Sequence, residues 1–196
     1  MSAPDALAAG LLATVRHSFQ SYKALADKAL AQLTPEQWLW RPGPESNSAA
    51  VLVQHLVGNL RSRFTDFWTA DGEKPDRHRG QEFEEPTSAQ AVAHLQQQWQ
   101  QAWPVLWAVL DHLEQHPADW LRTVYIRQEP YTALGALQRQ ITHYAYHTGQ
   151  LVQLAKQIRG EEWHTLSIPR GQSEQFNAQM RQQANPGLNL QRPSAV

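Results

Sequence analysis

The sequence predicts an all-α protein, a four-helix bundle followed by a short extra C-terminal helix. Three observations predict it. Four long stretches repeat apolar residues at three- and four-residue spacing, the period of a helix with one buried stripe. Each stretch is bounded by Ser, Thr, Pro or Gly where helices start and stop. The 196 residues, 41% hydrophobic and 18% charged, suit one domain with a sizeable core. Four amphipathic helices must bury their stripes against one another, and a bundle is the economical way to do so.

The first helix is expected from Asp5 to Leu33, with Leu7, Leu11, Leu12, Val15, Phe19, Tyr22, Leu25, Ala26, Ala29 and Leu33 recurring mostly at three- and four-residue spacing. Thr34-Pro35 breaks it, because proline disfavours helix in the residue before it. Trp38 to Asn47, with Pro42-Gly43-Pro44, reads as a loop. Ser48 is the N-cap of a second helix running to about Ala70, where Asp71-Gly72 supplies a stop. Glu73 to Pro86 is charged, contains Pro75 and Gly80, and reads as a long surface loop. Thr87 or Ser88 caps a third helix through about Gln115, which Pro104 should kink or split. Thr123-Val124-Tyr125-Ile126 is a short candidate for extended chain. Thr132 caps the fourth helix, which ends at Gly160 beside Lys156 and Arg159. Gln172 to Gln183 reads as the short fifth helix. The domain is expected over 1–184, with 185–196, carrying Pro186, Gly187 and Pro193, as a flexible tail.

Composition excludes several function classes. The net charge is −1, so no basic excess neutralises phosphates and nucleic-acid binding is not expected. The chain has no cysteine, which removes disulfides, thiolate ligands and a cysteine nucleophile and leaves histidine and carboxylates as ligands. There is no run of 18 apolar residues to span a membrane and no basic leader region. A cytoplasmic protein without membrane attachment is the resulting expectation.

Two histidine pairs stand at i, i+4, the spacing that lets both rings face one centre. Nine histidines give about 0.4 such pairs by chance, so spacing alone proves little. His112 and His116 lie in the last turn of the third helix, where histidine partners the helix dipole. His143 and His147 lie inside the fourth helix, in line with Ala136, Leu151, Leu154 and Ile158 on the expected buried stripe. A buried imidazole needs partners for both nitrogens, from a polar network or a metal. His55, in the second helix, is the candidate third ligand. Asn59, Ser62 and Asp66 continue from it as a polar strip bordering the apolar arc. The fourth-helix run His-Tyr-Ala-Tyr-His lacks the glutamate of His-Glu-x-x-His proteases, and no paired Glu-x-x-His motifs mark a di-iron bundle. A mononuclear centre with three neutral imidazoles fits better.

Trp38 to Ser48, Val53 to Phe64, Ile141 to Leu151 and Leu166 to Gly171, taken in order and separation, resemble the DinB/YfiT-like superfamily of bacterial four-helix proteins. The resemblance covers roughly Asp5 to Asn177. It implies a metal site drawn from one histidine of the second helix and an i, i+4 pair of the fourth, here His55, His143 and His147, with zinc or nickel as the divalent ion. It also implies transfer of a low-molecular-weight bacterial thiol to an electrophile, or isomerisation with such a thiol, in a stress or detoxification role. Asn59 and Arg63 are then candidates for holding the thiol's polar groups, with Arg170 approaching from the loop after the fourth helix.

Two other readings compete. One is a metal-hydroxide hydrolase. The other is a non-enzymatic metal-binding homodimer, with Trp68 and tryptophans of the third helix at its interface. A small-molecule substrate is expected of either enzyme.

Overall fold

The computed structural model describes residues 3–182. They are mostly helical, with one short β-hairpin. The expected tail 185–196, and the domain end at 184, lie outside the described residues. The chain divides into two compact units, the first ending at Trp163 and the second beginning at His164.

In the first unit α1 (Ala3–Leu30) packs along α6 (Ala133–Arg159) and against α5 (Pro104–Gln115). The short α2 (Pro35–Trp38) packs on α4 (Ala89–Ala102). Between them α3 (Ala49–Phe64) meets α4, α5 and α6. An aromatic cluster joins these elements. The Tyr144 ring of α6 lies 5.7 Å from Phe19 of α1 and 5.6 Å from Trp103, edge-on to both. Such edge contacts add about 0.5–1.5 kcal/mol each beyond area burial.

The helix starts follow from local chemistry. Ser48, Ser88 and Thr132 each accept the backbone N–H three residues on, at 3.1, 3.1 and 3.0 Å. Each such cap is worth about 1 kcal/mol. Thr34-Pro35 does more than end a helix. Thr34 and Gln37 form a reciprocal capping box and Pro35 occupies the first turn of α2. Pro104 splits the third stretch into α4 and α5, since it has no N–H to continue the ladder and suits the first position of a new helix.

The second helix is shorter than expected. It ends at Phe64, not near Ala70. Asp66 takes a left-handed φ of 51°, which turns the chain so that Phe67 stacks back on Phe64 with ring centroids 5.9 Å apart. Burial of Phe67 outweighs continuation of the helix.

The extended stretch is real and pairs with a partner. Strand β1 (Thr123–Ile126) runs antiparallel to β2 (Glu129–Thr132). Both turn residues have positive φ, Arg127 at 55° and Gln128 at 64°, in place of the Asn-Gly usual for such turns. The Asp71 carboxylate compensates by accepting the backbone N–H of Arg127 at 2.8 Å and of Gln128 at 2.7 Å.

Trp99 and Trp103 do not form an interface: they are 2% and 1% exposed. The Trp99 indole N–H donates to Asp27 at 2.7 Å. Trp68 is half-buried, against Phe67, His112 and Arg122. Among the described residues no helix is long and apolar enough to cross a membrane. In the second unit α7 (Ser173–Gln182) follows the turn at Gly171, close to the expected fifth helix.

Candidate metal centre

His55 lies on α3, which is buried on almost all sides. His55 and Asn59 are each 4% exposed and Ser62 is 3% exposed. His55, Asn59 and Ser62 are therefore interior and not at a boundary, while Asp66, the last residue of the expected strip, is exposed. The segment after α3 covers the interior part: Ser62 donates to Gly72 O at 2.7 Å, and Arg63 donates to Gly72 O and, at 2.9 Å, to Glu73.

His143 and His147 stand at the edge of the buried stripe of α6 and not on its centre. The centre runs through Leu137, Gln140, Tyr144, Thr148, Leu151 and Ala155, while the two histidines are half-buried. One residue of offset is about 100° on a helix, which turns the imidazoles from the helix core toward α3.

There the structure brings His55, His143 and His147 together in a group that could hold a metal ion, with one ligand nitrogen from each within 4.8 Å of the others. His55 Nε2 and His143 Nε2 are 3.1 Å apart. Nitrogens bound at 2.0–2.1 Å to a tetrahedral ion sit about 3.3–3.4 Å apart, so the donor set is already near ligand spacing.

What lies behind the rings decides which nitrogen faces the centre. His55 Nδ1 meets the Glu82 carboxylate at 3.0 Å and His147 Nδ1 meets Gln150 Oε1 at 2.8 Å. An acceptor at Nδ1 places the proton there and leaves the Nε2 lone pair free for a metal. His143 Nδ1 is buried without a partner. Burial, then the neighbouring His147 and His55, hold His143 down to a pKa of about 3, and burial also lowers His147. Neutral imidazoles are what a metal requires.

Sequence reasoning did not find Glu82. It lies in the stretch read as a surface loop, yet it is 7% exposed, within a 3₁₀ turn at Arg79–Phe83 that packs on α3. Arg77 grips it with two bonds of 2.6 and 2.8 Å. Burial would raise its pKa, but the bonds from His55 and Arg77 win and hold it at about 2. Gly58 makes the approach possible, because a Cβ there would overlap the Glu82 carboxylate. No periodicity signals such a contact across 27 residues. Gln150 was findable, three residues from His147 on the same helix face.

The other predicted residues have different surroundings. Asn59 accepts from the Tyr144 hydroxyl at 3.3 Å. Arg63 is 5% exposed and holds the loop at Gly72 and Glu73. Both line a cavity of about 120 Å³ whose wall includes His55 and His143. A larger hollow of about 680 Å³, reached past Gln54, Arg61 and Gln98, touches none of the three histidines. Arg170 is an exposed residue of the second unit. His112 and His116 belong to no ligand group among the described residues; His112 meets Asp119 at 2.6 Å.

No curated protein and no solved structure matches the chain. Residues 6–172, the greater part of the chain, match the family described as protein of unknown function DUF1572, and the chain belongs to that family.

Proposed function

We propose that the protein is a metal-dependent enzyme, a four-helix bundle like those of the DinB/YfiT-like superfamily, that transfers a low-molecular-weight thiol to an electrophile. The observation that carries this reading is the shared orientation of the imidazoles. Glu82 and Gln150 take Nδ1 of His55 and of His147, which leaves Nε2 of both rings free for a metal in a group whose ligand nitrogens lie within 4.8 Å of one another. A divalent ion held there by His55, His143 and His147, zinc or nickel, would leave a position for an external ligand and lower the pKa of a thiol or water. Structural zinc sites are closed by four protein ligands, so a group of three supports an enzyme over a structural metal.

The chain's own residues supply the rest. Phe83 stacks on His55 with centroids 5.1 Å apart, and the Tyr146 ring meets the His147 edge at 4.9 Å, so aromatic surface borders the centre. Asn59 and Arg63 are assigned to the polar groups of the thiol. Arg170 is a candidate only through the loop motif Leu166 to Gly171 that carries the resemblance.

The test is consumption of bacterial thiols with a panel of electrophiles, measured on metal-loaded protein, chelated protein and His55→Ala. Consumption by the loaded protein alone is expected. Equal rates in all three would sink the proposal.

A further inference from the structure

The cavity beside the histidines is lined by five arginines: Arg63, Arg77, Arg79, Arg127 and Arg139. Two carboxylates answer them. Arg77 is taken by Glu82, and Arg63 and Arg127 share Glu73 at 2.9 and 3.1 Å. Arg79 and Arg139 have no ion pair among the described residues. Arg139 instead donates to the Tyr131 hydroxyl at 2.8 Å, and that hydroxyl donates to Glu129 at 2.9 Å. The wall is therefore cationic in a chain whose net charge is −1.

Buried polar groups in the same wall also lack partners. Gln140 is 3% exposed, and its Oε1 has none. Arg63 Nε and His143 Nδ1 have none either. Leaving such groups unsatisfied is costly; a ligand rich in acceptors removes that cost at Arg63 Nε, and at His143 Nδ1 once a metal on Nε2 places the proton there. The Gln140 amide, turned over, offers its N–H₂ as well.

We propose that this cavity binds a compact oxyanion, the carboxylate or phosphate group of a small molecule whose remainder lies toward the histidine group. Planar guanidiniums match both anions in shape and charge. The volume of about 120 Å³ suits one such group and not a whole ligand, which takes roughly 300–1,000 Å³. As a statement about the substrate the proposal rests on the enzyme reading above, whereas the anion site can be measured without metal.

The experiment is thermal melting at constant ionic strength, titrating inorganic phosphate or malonate in place of chloride, on chelated and on zinc-loaded protein. The wild type is compared with Arg79→Gln/Arg139→Gln, both exposed side chains whose replacement spares the core. A saturable rise in Tm is expected with at least one anion, and that anion names the class. The double variant should bind it at least about ten-fold more weakly, with unchanged circular dichroism. No saturable shift with either anion, or an equal shift in the variant, overturns the proposal. Anion binding by a protein that takes up neither zinc nor nickel would overturn the metal reading and leave this site standing; metal uptake with no anion effect would do the reverse.

Discussion

His143/His147 and His112/His116 are the same motif in two places. Each pair is four residues apart near or within a helix, and ring centroids are 4.6 and 4.5 Å apart. Their surroundings differ. The first pair faces α3, where His55 supplies a third nitrogen and Glu82 and Gln150 orient two of the rings. The second pair straddles the end of α5, where His112 meets Asp119 at 2.6 Å and the Trp68 ring at 4.5 Å. Spacing makes two imidazoles neighbours; a third ligand and an acceptor behind the rings make them a centre.

The comparison breaks most simply by removing one ring from each pair. His147→Ala should abolish stoichiometric metal uptake, read by elemental analysis of purified protein, while His112→Ala leaves it unchanged. Equal uptake by both variants would dissolve the distinction.

Changing what stands behind the rings should have a smaller effect. Glu82→Gln, or Gly58→Ala acting through Glu82, should weaken metal binding about 10–100-fold in a competition titration. Asp119→Asn, the corresponding change beside His112, should not alter it. If Glu82→Gln binds metal as tightly as the wild type, the carboxylate only ties Arg77 to the turn.

A further effect concerns protons. In chelated protein His143 has a folded pKa of about 3 against an ordinary 6.5. Between those values the unfolded chain binds the proton and the folded one does not, so stability falls as pH drops from about 6.5 toward 3. Glu82, with a folded pKa of about 2 against 4.5, contributes stability above 4.5 that is lost as pH falls toward 2. His143→Gln should flatten the slope from pH 6.5 down to about 3, measured by denaturant melts, and leave the loss that Glu82 contributes below 4.5. An unchanged upper slope would place its origin elsewhere.

How much was legible in the chain follows from distance. Ser48, Ser88 and Thr132 act on backbone three residues away, so helix starts could be read directly. Pro104 acts on its own turn, and the break at Trp103 followed. The end of α3 was misplaced because Phe67 stacking on Phe64 overrode a helical pattern that Asp66 interrupts by turning left-handed. The histidine pair was visible as spacing, yet its half-buried position was not, since the face of α6 that packs is set by its neighbours.

The sequence by itself determined the helical class, the caps and breaks, and the residue types available to a metal, because each is a property of a few consecutive residues or of composition. Tertiary structure decided that the polar strip of α3 is interior, that Glu82 stands behind His55, that Asp71 holds the Arg127-Gln128 turn, and that five arginines share one small cavity. Those facts join residues that lie far apart along the chain. Burial and charge act over a few ångströms of space, and only the packed chain says which residues those ångströms contain.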